Sequence, residues 1–328
     1  MQPPPLAFLL ALSNAALSMS AAGLTAFAIA LWFARSHIAG ARGIHRIGAL
    51  APICFAIPLA VFGAEHLSLN RAMAAGVPSY MPFHLFWIYF VGVALLAASL
   101  SIATARQVRW SALLFGIMMF AFVAMLHLPG AIKTGGRIPW TIVFRELSFG
   151  GGAWVLAGAA MAGRNSPGPG NPLRTVGRAL IGCTALFFGI EHFLHPLGLP
   201  GVPLEKQMPA WVPLRPAVDY VTGAALIILG FCLPFDRKTR LLTACLGAWL
   251  VLLVLVIYGP VLLTALANPN AALQIEGINY FADTLLFAGV ILSLAASGPP
   301  THPNTIPNAM LMADDEGSNH LPAFPSSH

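Results

Sequence analysis

Long apolar segments separated by short polar ones run through most of the chain. Nine of them reach about 20 residues, the length at which a helix crosses the ~30 Å hydrocarbon core of a bilayer. They are continuous rather than alternating, which argues against membrane β-strands. Because lipid cannot hydrogen-bond a backbone, the pattern predicts an all-α, polytopic integral membrane protein. The predicted spans are Leu6–Ala34, Ile47–Leu67, Pro82–Thr104, Trp110–Leu128, Ile142–Gly163, Val176–Leu194, Pro213–Leu233, Leu241–Leu266 and Ile278–Ala296.

Charged residues are scarce, and the basic ones are unevenly placed between the spans. Lys, Arg, Asp and Glu together make up 9% of the residues, whereas they make up about 25% of a soluble domain. Short basic loops face the cytoplasm, so the bias predicts a multi-pass cell-membrane protein with its N-terminus outside and its C-terminus cytoplasmic. The basic residues form no single patch, and no nucleic-acid partner is expected. The predicted cytoplasmic residues are Arg35, Arg42, Arg46, Arg106, Arg109, Arg164, Arg174, Arg178, Arg237, Lys238 and Arg240.

The chain repeats itself at a period typical of duplicated helical units. The segment Phe62–His66 reappears as Phe188–His192, and Tyr89–Leu95 reappears as Tyr220–Leu226. Each copy contains four spans, so the copies are parallel. Further pairs, in the same order, are Arg109 with Arg240, Pro129 with Pro260, and Glu146 with Asp283. The predicted division is a leading helix (1–44), a first repeat (45–163), a linker (164–174), a second repeat (175–297) and a disordered tail (298–328).

The repeats resemble the DoxX-like family of small membrane proteins, which are four-helix units. The resemblance rests on the Phe-Gly-x-Glu-His end of the first helix, the glycine-containing second helix that begins near Pro82 or Pro213, and the Arg109 or Arg240 that opens the third. It implies an integral membrane component of a quinone-linked redox system, an accessory oxidoreductase subunit without a redox centre of its own. Quinone is the implied cofactor, and soluble or membrane redox proteins are implied partners besides the lipid bilayer.

Five acids lie in the predicted spans, where each ionisable side chain costs roughly 2.5–3.5 kcal/mol and requires a partner or a function. The candidate catalytic residues are these acids and the two repeated histidines: Glu65, His66, Glu146, Glu191, His192, Asp219 and Asp283. We expect them near the outer helix ends, in two repeat-related clusters, with Glu191, His192, Asp219 and Asp283 together.

Structural roles for these residues remain open alternatives. Each Glu-His pair can extend its side chains to the membrane interface. Glu146 can pair with Arg145 or Arg137, and Asp283 can pair with Arg215. Asp219 has no acidic counterpart in the first half, where Ile88 aligns with it. We expect a neighbouring helix to supply its partner.

Two other functions fit the same pattern, namely a transporter for a small solute or protons and a membrane scaffold for partner proteins. The four cysteines form no Cys-x-x-Cys pair, and no metal site is predicted.

The tail after Ser297 is predicted to be cytoplasmic and dispensable for folding, because it lacks the apolar surface needed to order it. In intact cells, a Ser318→Cys variant should react with a thiol reagent only when that reagent can cross the membrane. Rapid labelling by an impermeant reagent would reverse the predicted orientation.

Overall fold

The computed structural model describes residues 12–161, 171–235 and 239–296, and helices make up 82% of these residues. No strand occurs in these ranges. The long helices are α1 (Asn14–Gly40), α2 (Ile44–Ser68), α3 (His84–Ala103), α4 (Val108–Thr134), α5 (Arg137–Met161), α6 (Pro172–Leu194), α7 (Arg215–Phe235), α8 (Thr239–Leu266) and α9 (Ala271–Ala296). The predicted tail (298–328), the start of the first predicted span and most of the predicted linker lie outside the described residues.

Eight of the described helices are long and apolar enough to cross a membrane, namely all of those above except α5. The prediction of an all-α protein is confirmed, and these helices are consistent with a multi-pass membrane protein in a lipid bilayer. Helix α5 has the necessary length, with 25 residues, but it carries Arg145, Glu146 and three consecutive glycines. Its composition is therefore less apolar than that of the others.

The last helix begins well before the start that the hydropathy pattern predicts. Helix α9 begins at Ala271, seven residues before the predicted start at Ile278, and the side chain of Asn270 accepts a hydrogen bond from the backbone of Ala272 (2.9 Å). The first turns of α9 contain polar residues and therefore fall outside the apolar segment, but the capped helix includes them. Asp283 consequently lies near the middle of α9, ~18 Å from its start, and not near the outer end.

The first half comprises α2 to α5 and the second half α6 to α9. The fourth helix of each half, α5 or α9, packs against the first helix of the other half. In the first half, α2 packs against α3 and against α9 of the second half; in the second half, α6 packs against α7 and against α5 of the first half. Helices α5 and α9 contact each other between the halves. Every residue from 282 to 295 is buried, so this part of α9 has no lipid-facing surface.

Aligned positions of the two halves share local structure. A π-helical turn occurs at Val123–His127 in α4 and at Val254–Tyr258 in α8. Each turn precedes a proline, Pro129 or Pro260, which has no N–H to give the preceding turn, so the helix adjusts its hydrogen bonding there. These π-turns are uncommon and often lie at functional sites. His127 and Tyr258 occupy the same position in the two turns.

The loop between α6 and α7 enters the bundle. Its residues Leu199, Val202 and Met208 belong to the hydrophobic core. A Cβ on Gly201 would lie 2.9 Å from Cγ2 of Thr284, and Gly201 adopts a φ of +112° that favours glycine. Thr284 is ~20 Å along α9, so the loop reaches the middle of that helix. The corresponding loop of the first half instead contains the short helix Asn70–Ala74 and exposes its aromatic side chains.

Close packing around Gly223 predicts that an alanine there destabilises the protein more than an alanine at Gly182 does. A Cβ on Gly223 would lie 2.9 Å from the carbonyl oxygen of Gly189 and 2.9 Å from Cβ of His192, so Gly223→Ala should separate α6 from α7. We expect a loss of about 1–3 kcal/mol in unfolding free energy, measured by thermal unfolding in detergent. Gly182→Ala is the control, because its Cβ would have 3.5 Å to the nearest atom. Equal losses in both variants would contradict this packing.

Candidate functional site

A buried ion network joins the two halves where α5 crosses α9. The guanidinium of Arg145 donates to Oδ2 of Asp283 (2.8 Å) and to Oε1 of Glu146 (2.8 Å). The side chains are 18% exposed for Arg145, 9% for Glu146 and 6% for Asp283. A cation between two carboxylates satisfies each of them far better than lipid can. Arg145 therefore couples the fourth helix of one half to that of the other.

Glu65, at the end of α2, adds a third carboxyl to this network. Its Oε1 accepts a hydrogen bond from the amide of Asn279 on α9 (2.7 Å), and the charge of Arg145 acts on it. One guanidinium cannot neutralise three carboxylates, and an unbalanced negative charge is costly in a buried site. The arrangement can thus bind and release protons, and Glu65, whose described partner is a neutral amide, is the carboxyl best placed to hold one.

Two histidines border the network from the first half. His66 follows Glu65 on α2, and His127 lies in the π-turn of α4; the charge of Glu146 acts on both rings. Nδ1 of His66 lies 2.8 Å from the carbonyl oxygen of Phe62. A carbonyl only accepts, so Nδ1 carries the hydrogen and Nε2 is left as a proton acceptor. A proton acceptor on His66 therefore lies within electrostatic range of Glu146.

Three buried polar atoms beside the network have no hydrogen-bond partner among the described protein atoms. They are Oγ1 of Thr141, Nε of Arg145 and Oδ1 of Asn279. Thr141 lies one turn before Arg145 on α5, and Asn279 lies one turn before Asp283 on α9, so these atoms belong to one side of the crossing. Two of them donate and one accepts. A polar ligand with both functions matches them.

Glu191 does not belong to this network, and its partner Arg137 contacts the loop between α6 and α7. It pairs with Arg137 (3.1 Å), which also donates to the carbonyl oxygens of Pro203 (3.3 Å) and Leu204 (3.1 Å). The imidazole of His195 lies 3.8 Å from the same carboxylate. Of the two predicted partners for Glu146, only Arg145 is bonded to it, because Arg137 is occupied by Glu191 and the loop.

His192 and Asp219 form a separate buried pair under the loop. Nδ1 of His192 lies 2.6 Å from the carbonyl oxygen of Phe188, and Nε2 accepts from the backbone N–H of Gly201 (2.9 Å). Oδ1 of Asp219 lies 3.8 Å from Nε2, and both carboxylate oxygens lack a hydrogen-bond partner among the described atoms. The neighbouring helix α6 therefore supplies His192 at ion-pair distance from Asp219, but it supplies no hydrogen bond to the carboxylate.

The acids do not group as predicted from the repeat. Asp283 pairs with Arg145 and not with Arg215, which donates to the carbonyl oxygen of Met208 (3.4 Å). Asp283 therefore lies with Glu65 and Glu146, apart from Glu191 and its arginine. The physical reason is the interlocking of the fourth helices, which carries each of them to the other half. Sequence reasoning also missed Asn279 and Thr141; their position one turn from a charged residue on the same helix was a usable signal.

No metal site is evident in the part of the chain that the structure describes, where no group of three or more His, Cys, Asp or Glu side chains is placed to hold an ion. Comparison of the chain with models of known protein families, with curated proteins and with solved structures found no match.

Removal of Arg145 should destabilise the protein strongly, since Arg145→Gln leaves buried carboxylates without their cation. We expect a loss of about 3–5 kcal/mol, seen as a lower thermal unfolding temperature in detergent. Lys206→Gln is the control, because Lys206 pairs with Glu276 at side-chain exposures of 29% and 37%, where a pair contributes only about 0–1 kcal/mol.

A double variant, Arg145→Gln with Asp283→Asn, should recover part of the loss, because it removes one of the unpaired charges. Equal stability of Arg145→Gln and Lys206→Gln would show that the network is not a stabilising link between the halves.

Proposed function

We propose that this chain is a DoxX-like integral membrane component of a quinone-linked redox system, with nine spans. In this proposal α5 also crosses the membrane, which brings the number of spans from eight to nine. Its charged residues are supported by packing against α4, α6 and α9, where Arg145 meets Asp283. An odd number of spans puts the termini on opposite sides, and the basic loops favour an outside N-terminus and a cytoplasmic C-terminus. The π-turns at aligned positions of α4 and α8 support two duplicated four-helix units.

The incompletely paired network at the crossing of α5 and α9 is the observation that carries the functional proposal. A quinone head group has two carbonyl oxygens, which accept hydrogen bonds, and its reduced form has two hydroxyls, which donate them. The hydroxyl of Thr141 and the Nε–H of Arg145 are donors without a described partner, and Oδ1 of Asn279 is an acceptor. Glu65 can take a proton from a quinol hydroxyl.

Binding and proton exchange are the proposed roles of this chain. Oxidation of a quinol to a quinone releases two protons and two electrons. Glu65 and the neighbouring His66 accept protons in turn, and the electrons pass to a redox protein that associates with the chain. The chain thus acts as an accessory subunit of a membrane oxidoreductase, with the ionised Arg145 fixing the carboxylates around the head group.

A proton-coupled transporter for a small solute is the second candidate, favoured by the depth of the network. Transporter sites lie near the bilayer midplane at the contact of structural repeats. Asp283 lies near the middle of α9, and Arg145 reaches it from the other half. The pair is therefore deeper in the helix bundle than the outer helix ends at which the sequence predicts the acids.

Quinone bound to the purified protein tests the leading proposal. After extraction in a mild detergent, the parent should retain quinone detectable by ultraviolet absorption and mass spectrometry. Glu65→Gln keeps the shape of the side chain but cannot take a proton, and it should lower quinol-analogue affinity about fivefold or more, the effect of one lost hydrogen bond. Glu276→Gln is the matched control, since Glu276 pairs with Lys206 outside the network.

Absence of quinone and of analogue binding in the folded parent would refute the proposal. Solute-dependent proton flux in liposomes, reduced by Glu65→Gln and unaffected by Glu276→Gln, would then select the transporter.

A further inference from the structure

Asp219 is an unusual carboxyl even among the buried acids of this chain. It is 1% exposed, and neither of its oxygens has a hydrogen-bond partner among the described atoms. The only basic group described within 4.0 Å of it is the His192 ring, at 3.8 Å. An ionised carboxylate in such a setting is strongly disfavoured, whereas a protonated carboxyl is neutral. The environment of Asp219 therefore suits a group that binds a proton.

The neighbouring imidazole is held in one neutral form by two backbone groups. Its Nδ1 must donate to the carbonyl oxygen of Phe188, and its Nε2 must accept from the N–H of Gly201. A proton added to Nε2 turns this atom from an acceptor into a donor. The two N–H groups then face each other, and the bond between His192 and Gly201 cannot persist.

The hydrogen bond between Gly201 and His192 lies at the tip of the loop between α6 and α7. The preceding residue, Pro200, accepts a hydrogen bond from the hydroxyl of Tyr258 (2.8 Å), and Gly201 itself lies against Thr284. Leu199 and Val202, on either side, are both 1% exposed. Non-helical backbone at this depth is tolerated where it is buried in protein or lines a water-filled cavity. Release of the Gly201 N–H exposes the backbone donor that most directly ties the loop to α6.

We propose that Asp219 and His192 form a proton-binding site that is closed by the loop tip Leu199–Val202, and that a proton on Nε2 of His192 opens it. The site is distinct from the Arg145 network and does not depend on quinone binding. Within the pair, a proton leaves an oxygen of Asp219 and binds Nε2 of His192, which produces a carboxylate and an imidazolium at 3.8 Å. A second proton, from water that enters past the opened loop, reloads Asp219.

The other charged groups around the site have partners of their own. Glu191 on α6 pairs with Arg137 of α5, Lys206 of the loop pairs with Glu276, and Asp283 of α9 pairs with Arg145. Arg215, one turn before Asp219 on α7, donates to Met208. Tyr258 of α8 contributes a neutral hydroxyl directed to Pro200. The loop is consequently controlled by the state of His192 and Asp219.

Infrared spectroscopy of the full chain tests whether Asp219 carries a proton. The parent at neutral pH should show C=O absorption of protonated carboxylic acids that shifts in D₂O, and Asp219→Asn should lose the part of this absorption that Asp219 contributes, whereas Glu65 can still contribute. An unchanged carboxyl spectrum in Asp219→Asn would overturn the proposal. Asp219→Leu should keep or raise the thermal stability, because it removes a buried polar group that has no hydrogen bond. Thermal unfolding of both Asp219 variants shows whether they are folded.

Cysteine labelling tests the opening of the loop. In Val202→Cys, labelling by a water-soluble thiol reagent should accelerate about tenfold as the pH falls from about 8 to about 5, because protonation of His192 breaks one hydrogen bond. The parent without this cysteine gives the background of Cys54, Cys183, Cys232 and Cys245. His192→Gln retains an amide acceptor for Gly201 but cannot be protonated, so its labelling should stay slow throughout.

Asp219→Asn should need a lower pH than the parent for the same labelling, because it lacks the carboxylate that stabilises the imidazolium. An acid-dependent acceleration of equal size in Val202→Cys with and without His192→Gln would overturn the proposed control of the loop.

Discussion

The ion pair between Arg145 and Asp283 is the interaction around which the halves of this protein are arranged. Hydrocarbon offers no hydrogen bond to a charge, so both groups must be satisfied by protein. Arg145 lies in the first half of α5 and Asp283 near the middle of α9, and the pair requires the two helices to meet at these positions. This crossing in turn places α9 against α2, and α5 against α6. The interlocked arrangement thus follows from a contact that neither half can complete alone.

The halves share their helices and differ in what fills the space between them. In the second half, the loop after α6 enters the bundle, and its backbone engages His192 and Tyr258. In the first half, the aligned residues His66 and His127 instead border the Arg145 network. The same helical positions therefore face an ion network in the first half and a buried loop backbone in the second. The loop after α6 thus gives aligned positions of the two halves different chemical environments.

Incomplete pairing of polar groups is common to the two environments. A structural ion pair is most stable when every charge and lone pair is satisfied. Here Arg145 bonds two carboxylates, a third carboxyl, Glu65, bonds only a neutral amide, and Asp219 has no hydrogen-bond partner among the described residues. Such groups cost stability unless they bind a proton or a ligand, and stability is commonly sacrificed at functional sites in this way. Both proposals rest on this imbalance.

The sequence by itself determined the helical class and the membrane environment, because continuous apolar segments have no other stable form in lipid. It also identified the seven candidate site residues, since ionisable groups are conspicuous in apolar segments, and it correctly gave Arg145 as a partner of Glu146. The start of α9 was misplaced because hydropathy does not register a polar but well-capped first turn.

Only the tertiary structure decided which acids meet. The pairing of Asp283 with Arg145, the role of Asn279 and the loop contact with His192 all join residues far apart in the chain. Their approach depends on which helix packs against which, and the repeat pattern is equally compatible with fourth helices that stay within their own half. Hydropathy sets the length and environment of a helix but not its neighbours, which are decided by the pairing of buried charges and by close contact at glycine.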